Sequence, residues 1–195
     1  MDVGANHGYL SLALSSLGIK TYAVENKQGP FQTLVKSVKE NGGKVECIYA
    51  DGLDQMPSDV DGVFVLGMGA QTMEDILFRY PEKLSKLQHL VLEPQTDPSS
   101  LFRRLYDFGF QDEKGCYVFE RHYYPLLSFV KGKVSHDMVE DAYGRYPLYH
   151  KDLTLFEKLS KELSVLCELQ KQGVKDKEKE ISIHEEALRR WNLGN

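Results

Sequence analysis

The residues with the most chemical content stand at the ends of three short apolar runs. The first run is Asp2-Val3-Gly4-Ala5-Asn6-His7-Gly8-Tyr9-Leu10, which reads as a strand ending in a tight turn with a helix following at once. Gly4 and Gly8 let the backbone approach a ligand closely and take angles that a side chain forbids. The helix start presents free N–H groups. The second run, residues 21–25, ends at Glu25, a carboxylate that can accept hydrogen bonds from both hydroxyls of a ribose. The third, residues 45–50, leads into Asp51-Gly52, where a carboxylate can receive the exocyclic amine of an adenine. In a parallel sheet the three strand ends share one edge, so these groups converge. The ligand such a set would hold is a nucleoside. The turn is Gly-x-x-x-Gly and not Gly-x-Gly-x-x-Gly, which favours a sulfonium nucleoside over a pyrophosphate.

Taken alone, each group has a plainer reading. Glu25 is then a surface acid at a strand end and Asp51-Gly52 an ordinary turn. The combination needs a sheet to position it, and the chain supplies one. Residues 2–4, 21–25, 45–50, 63–66 and 89–92 read as strands, with helices over 9–17, 72–78 and 98–108. A further helix opens at Gly29-Pro30 and stops at Asn41-Gly42-Gly43, with Phe31, Leu34, Val35 and Val38 on one face. The run 63–66 is unbroken and apolar, as in a strand buried on both faces. Residues 115–120 and 126–131 follow as two strands with no room for a helix between them, so they are antiparallel. Strands separated by helices and closed by a hairpin predict a mainly parallel α/β sheet with helices on both faces.

The tail differs. Phe156, Leu159, Leu163 and Leu166 fall at helical spacing, Gly173 breaks the pattern, and Ile181, Leu188 and Trp191 carry a second stripe. Two helices joined near Gly173 make an antiparallel helical hairpin whose stripes are core packing. The whole chain has 195 residues, 42% hydrophobic and 27% charged, which excludes fibrous and wholly disordered classes. A formal net charge of −5 argues against nucleic-acid binding through bulk positive charge, while leaving room for a local basic patch. The longest charge-free apolar stretch, 62–73, is too short to span a bilayer, and no basic region followed by an apolar run opens the chain as a leader would. Cys47, Cys116 and Cys167 are scattered and odd in number, as reduced cytosolic thiols are, and the histidines lack metal-ligand spacing.

The layout resembles a class I S-adenosylmethionine-dependent methyltransferase. More narrowly, it is similar to the bacterial tRNA adenine-N1-methyltransferases that modify an adenine (position 22) of the D-loop. The matching pieces are Asp2-Val3-Gly4 with His7-Gly8-Tyr9-Leu10, Glu25 followed by Gly29-Pro30, Asp51-Gly52-Leu53, and Gly67-Met68-Gly69 followed by Asp75-Ile76-Leu77. Others are Leu90-Val91-Leu92 with Pro94, residues 101–109, and Tyr143-Gly144 with Pro147-Leu148. They run in order over essentially the whole chain, and Gly67-Met68-Gly69 is the most family-specific of them.

The resemblance implies a Rossmann-like class I methyltransferase sheet, mostly parallel with an antiparallel hairpin at its end, followed by a C-terminal antiparallel helical hairpin. It implies residues 1–134 as the S-adenosylmethionine-binding catalytic domain, 135–150 as a linker and 151–195 as a coiled-coil-like helical hairpin. It further implies a cytoplasmic bacterial enzyme with S-adenosylmethionine as cofactor and tRNA as partner, needing neither metal nor membrane, with a monomer the simpler oligomeric expectation. By position, Gly4, Asn6 and His7 would line the methionine part of the cofactor, Glu25 would hold the ribose, and Asp51 with Gly52 the adenine, with Asn26 a further cofactor-binding candidate. Gly67, Met68 and Gly69 would border the sulfonium and the target base, and Glu93, Pro94 and Gln95 would form a wall facing the substrate. Asn6, Met68 and Glu93 are the candidate catalytic residues, Glu93 as a carboxylate that stabilises the cationic product ring or, more plainly, a strand-end acid facing water. Arg103-Arg104, Arg121-His122-Tyr123-Tyr124 and Lys131 with Lys133 mix cations with aromatics and are candidate contacts to an RNA backbone, or else solvated surface.

Two departures from the family pattern stand out. Asn6 occupies a position that is usually acidic, within Gly-(Ser/Thr)-Asp-His, so no charge is available there. The first strand is short, and the family has further residues before it. An exposed slot beside the central strand and weaker cofactor binding than in an intact relative are therefore expected. Two other readings stay open: a class I methyltransferase acting on a small molecule, and a non-catalytic tRNA-binding or interaction module.

Overall fold

The structure is a computed structural model and describes residues 1–194. It divides into two compact units, Met1–Leu92 and a second from Glu93 onward.

In the first unit the strands lie in the order β3-β2-β1-β4-β5. They are β1 (Asp2–Val3), β2 (Thr21–Glu25), β3 (Val45–Tyr49), β4 (Gly62–Met68) and β5 (His89–Pro94), the last of which opens in this unit. The helices between them are α1 (Tyr9–Ser16), α2 (Gln28–Glu40), α3 (Ala70–Phe78) and the short α4 (Pro81–Leu84). β1 pairs in parallel with β2 through Asp2↔Ala23 and Val3↔Val24, and with β4 through Asp2↔Phe64 and Val3↔Val65. β2 pairs in parallel with β3 up to Glu25↔Tyr49. This register sets Gly4, Glu25 and Tyr49 level on one edge, with Asp51 just beyond it. The chain winds outward from β1 to β3, then returns to β4 on the other side of β1, and a crevice opens where the winding reverses.

Apolar burial fixes that register. Every residue of β2 is buried, and Val63 and Val65 anchor β4. α2 lays Leu34 and Val38 on Ala23. Val35, placed by the sequence on the same face, is 41% exposed, because one residue turns a helix by about 100° and carries its side chain off the stripe. Nor is the slot expected beside β1 present: Asp2 and Val3 are both buried and paired on both sides. Asp2 accepts a hydrogen bond from Ser11 Oγ at 2.6 Å, tying β1 to α1. Burial pushes this carboxyl above the usual aspartate range, and the Ser11 bond opposes the shift.

In the second unit come α5 (Ser99–Phe108), β6 (Phe110–Glu120), β7 (His122–Lys131), α6 (Met138–Tyr143), α7 (Arg145–Tyr149), α8 (Leu153–Lys171) and α9 (Glu178–Leu193). β6 and β7 form the expected antiparallel hairpin, but it runs from Phe110↔Lys131 to Glu120↔His122 and turns on Arg121 alone. Polar residues 111–114 hide the start of β6 from a period-two reading, and an irregularity between Asp112 and Lys114 interrupts it further. The tail is the expected helical pair, α8 and α9. Trp191 packs tilted against Phe156 at 4.6 Å between centroids and donates Nε1–H to the Asp152 carbonyl at 2.8 Å.

Residues 135–150, read from sequence as a linker, contain α6 and α7. Val139, Tyr143 and Leu148 are buried in one cluster with Tyr117, Leu155, Leu159 and Ala187. The segment is capped as well as packed. Asp137 accepts from the backbone N–H groups of Val139 and Glu140, and Glu140 returns the bond to the Asp137 N–H. Arg190 of α9 forks onto the same Asp137 at 3.0 and 2.6 Å.

His136, just before this cap, meets Asp141 through Nδ1 at 2.7 Å and Asp107 through Nε2 at 3.2 Å. Burial works against the charged imidazole, but the two carboxylates outweigh it and hold the pKa above the usual histidine value. A raised folded-state pKa contributes stability that is complete below the unfolded value and is lost as pH rises through the folded one. Thermal melts of the chain are therefore expected to fall as pH rises above the free imidazole value of about 6.5, a trend that His136→Gln removes. A wild-type melting temperature that rises with pH above that value would contradict this assignment.

Candidate functional site

A cavity of about 550 Å³ opens in the first unit at the carboxyl ends of its central strands. Eight of the residues singled out from the sequence line it: Gly4, Asn6, Glu25, Asn26, Asp51, Gly52, Met68 and Gly69. His7 and Gly67 are not among its lining residues. Both are exposed, and His7 stacks on Tyr9 with ring centroids 5.5 Å apart.

Gly4 has φ 76°, and a Cβ built on it would come within 2.0 Å of Met68 Cε. Both the backbone angle and the space thus require glycine. Its N–H and that of Ala5 donate to the Val24 carbonyl, which draws the turn over the tip of β2. Gly8, also left-handed at φ 73°, starts α1 without a side-chain cap, and a Cβ there would lie 2.6 Å from Leu34 Cδ1. Asn6 lies between them at φ 48°, an angle that asparagine tolerates better than most residues.

Glu25 is 8% exposed. Its Oε1 accepts from the backbone N–H groups of Asn26 and Lys27 at 3.0 and 3.2 Å. Its Oε2 accepts nothing from the described residues and is left for the cavity. Asp51 is gripped through both oxygens, by Asn26 Nδ2 at 3.2 Å and by Arg79 Nη1 at 2.5 Å. Lys27, Pro30, Thr72, Asp75, Ile76 and Arg79 complete much of the wall, and none was legible as a site residue. Pro30 and the 75–77 run sit inside quoted motifs. Arg79, just past α3, carries no local signal.

A second cavity, of about 710 Å³, lies within the second unit. Pro94, Gln95 and Arg121 of the expected substrate residues line it, together with His122, Tyr123 and Tyr124; Arg103 does not and is exposed. Glu93 is not among the lining residues, and its Oε1 accepts from Gln95 Nε2 at 2.5 Å. Arg121 holds a left-handed turn at φ 64°. Beyond the turn, Lys161 Nζ donates to Tyr123 Oη at 2.9 Å and lies over the Phe119 and Tyr123 rings.

The tail helices supply the far wall. His184 Nδ1 meets the Glu180 carbonyl at 2.8 Å, so its Nε2 faces Tyr143 Oη at 3.3 Å and Glu162 Oε2 at 3.1 Å. Lys158 also donates to Glu162. Burial opposes the Glu162 charge, but His184 and Lys158 outweigh it and hold the carboxyl below the usual range. Burial pushes the Tyr143 phenol well up, so it stays a neutral donor. No sequence signal marked Lys158, Glu162 or His184, because their meeting depends on how α8 and α9 pair.

The family described as tRNA (adenine(22)-N(1))-methyltransferase matches residues 1–192. The chain belongs to this family. A Streptococcus pneumoniae protein provisionally assigned as a tRNA (m1A22) methyltransferase has a solved structure similar to it at 26% identity and TM-score 0.84, with 98% of this chain and 90% of that one covered. A Streptococcus agalactiae protein of the NADB-Rossmann superfamily is similar at 27% identity and TM-score 0.83, over 98% and 88% of the two chains. M. capricolum TrmK, solved with S-adenosyl-homocysteine, shares the fold at 21% identity and TM-score 0.79, over 98% and 88% of the two chains. No curated protein matches the chain in sequence. As a tRNA adenine-N1-methyltransferase family member the chain has the expected fold class: a Rossmann-like, mostly parallel sheet, an antiparallel hairpin and C-terminal helices.

Proposed function

We propose that the chain transfers a methyl group from S-adenosylmethionine to N1 of adenine 22 in a tRNA, in the cytoplasm. The observation that carries this is the convergence of Gly4, Glu25 and Asp51 on one cavity in a member of the tRNA (adenine(22)-N(1))-methyltransferase family. Among the described residues no helix is long and apolar enough to cross a membrane, and no group of three or more His, Cys, Asp and Glu side chains could hold a metal ion.

The first cavity fits an adenosine-bearing cofactor on three grounds. Gly4 keeps open a space that a Cβ would fill. Glu25 offers an accessible acceptor, Oε2, whose partner oxygen is already fixed by the loop that follows. Asp51 offers acceptors only, as an exocyclic amine needs. Glu25 would hold the ribose hydroxyls, Asp51 and Gly52 the adenine, and Asn6, Met68 and Gly69 the end nearer the reacting carbon. Bound S-adenosylmethionine supplies an electrophilic methyl group on a sulfonium, and its transfer leaves a neutral thioether.

Adenine N1 has an in-plane lone pair and needs no general base at neutral pH, so alignment supplies most of the acceleration. Pro94, Gln95 and Arg121 would meet the RNA, with Tyr123 and Tyr124 as rings on which unpaired bases stack. Methylation makes the ring cationic. Glu93, steadied by Gln95, would offset that charge. Glu93→Gln is expected to lower kcat about 10-fold with little change in KM for tRNA. Unchanged turnover in steady-state assays would remove it from the mechanism.

Arg121→Gly separates the turn from the contact. Relief of a left-handed arginine, worth about 1 kcal/mol, offsets glycine's greater chain entropy, so the melting temperature holds. tRNA affinity is expected to fall about threefold, and the slope of log K against log salt by about 1. A variant that binds tRNA as the wild type does would exclude Arg121 from the interface.

The reaction is tested by incubating the chain with S-adenosylmethionine and unmodified tRNA and digesting the product for mass spectrometry. N1-methyladenosine formed on tRNA carrying A22, and absent with G22, is the expected result. Methylation of neither would favour a non-catalytic module, and turnover of small acceptors alone would favour a small-molecule enzyme.

A further inference from the structure

Asp51 is clamped from two sides, and the clamp lines the same cavity. Arg79 follows the last residue of α3, and its Nη1 lies 2.5 Å from Asp51 Oδ2. Asn26 follows β2, and its Nδ2 lies 3.2 Å from Oδ1. Each carboxylate oxygen has two lone-pair directions, so one acceptor direction on each remains after the clamp is made. The two donors come from separate loops, which fixes the plane of the carboxylate as well as its position.

Stability does not account for this arrangement. The Arg79 and Asp51 side chains are 48% and 50% exposed. Exposed pairs of this kind add little to folding, because water screens them and two side chains must be ordered. The consequence lies in what the carboxylate faces. A free carboxylate at a cavity mouth rotates and can present water to almost any polar edge. A clamped one offers lone pairs in set directions, accepts from an N–H donor, and leaves an opposing carbonyl unpaired.

We propose that Arg79 is a positioning residue which, with Asn26, orients Asp51 so that the cavity selects a 6-amino purine over a 6-oxo purine. This rests on the reading of the cavity as an adenosine site. Arg79 acts through Asp51 and touches no reacting atom, so its removal weakens cofactor binding and relaxes base selection while leaving the chemical step.

The test is calorimetric titration of the full chain with two ligands, S-adenosylhomocysteine and S-inosylhomocysteine, which differ at the purine 6-position. The wild type is expected to prefer the adenosyl ligand by about 100-fold. Arg79→Met is expected to weaken the adenosyl ligand about 10-fold and to reduce the preference to a few-fold. In assays of methyl transfer the variant's KM for S-adenosylmethionine rises in step while kcat is kept. Arg79→Lys, which keeps the cation, restores part of the preference. Equal weakening of both ligands by Arg79→Met, or a preference left at the wild-type ratio, overturns the positioning role while the adenosine reading stands. A wild type that binds neither ligand, or both alike, overturns the adenosine reading and this proposal with it. Melting curves of Met and Lys variants check folding, and a loss of binding explained by unfolding in both counts against the proposal.

Discussion

Glu25→Gln is expected to weaken S-adenosylhomocysteine binding about 100-fold, the largest loss from any isosteric change in the first cavity. The wild-type carboxylate uses Oε1 to accept from the Asn26 and Lys27 N–H groups and keeps Oε2 for the ligand. Glutamine's carbonyl oxygen can take over the first duty, so the loop stays in place. Its amide nitrogen cannot take over the second, because it donates where two ribose hydroxyls also donate. Hydrogen bonds to a charged acceptor are worth about 1.5–3 kcal/mol each, so losing one or two of them reaches that factor. The measurement is titration calorimetry beside a thermal melt. A loss under about 5-fold, in a folded variant, would mean that Glu25 does not hold the ribose.

Gly4→Ala is the second large effect, and it separates two causes. The φ of 76° costs an ordinary residue about 1–2 kcal/mol, which appears as a lower melting temperature. The new methyl group also meets Met68 Cε, 2.0 Å from the ideal Cβ position. That atom is the end of a flexible side chain, so it moves, and it moves within the cavity that both residues line. Cofactor affinity is expected to drop more than about 50-fold, well beyond the stability loss. In Gly4→Ala/Met68→Ala the space returns while the angle does not. Binding should then recover in part and the melting temperature should not. Full recovery of both would show that the backbone angle is irrelevant, and recovery of neither would show that Met68 is.

These effects also show why the site was half legible in the sequence. Gly4 follows β1 directly, Glu25 is the last residue of β2 and Asp51 lies two residues past β3, and parallel strands bring their ends to one edge whatever lies between them. That geometry follows from element order alone. Arg79 could not be found the same way. It reaches Asp51 from beyond α3, and its partner depends on how that helix crosses the sheet edge. His7 sat inside the motif, but a turn does not declare which way each side chain points, and His7 turned outward onto Tyr9.

The second unit repeats the lesson. The helical stripes of α8 and α9 were visible as periodicity, while the meeting of Glu162, Lys158 and His184 was not, because pairing between helices has no local code. Helices α6 and α7, of six and five residues, are too short for a periodic pattern to emerge. Asp137 and Glu140 do carry the spacing of a capping box, and that local signal was available in residues 135–150.

The measurement that bears most directly on the whole account is a crystal of this chain soaked with S-adenosylhomocysteine. Difference density for the ribose against Glu25 Oε2, with the purine amine at Asp51, is the result the structure predicts. Density for the ligand elsewhere, with those two carboxylates left to solvent, would contradict it.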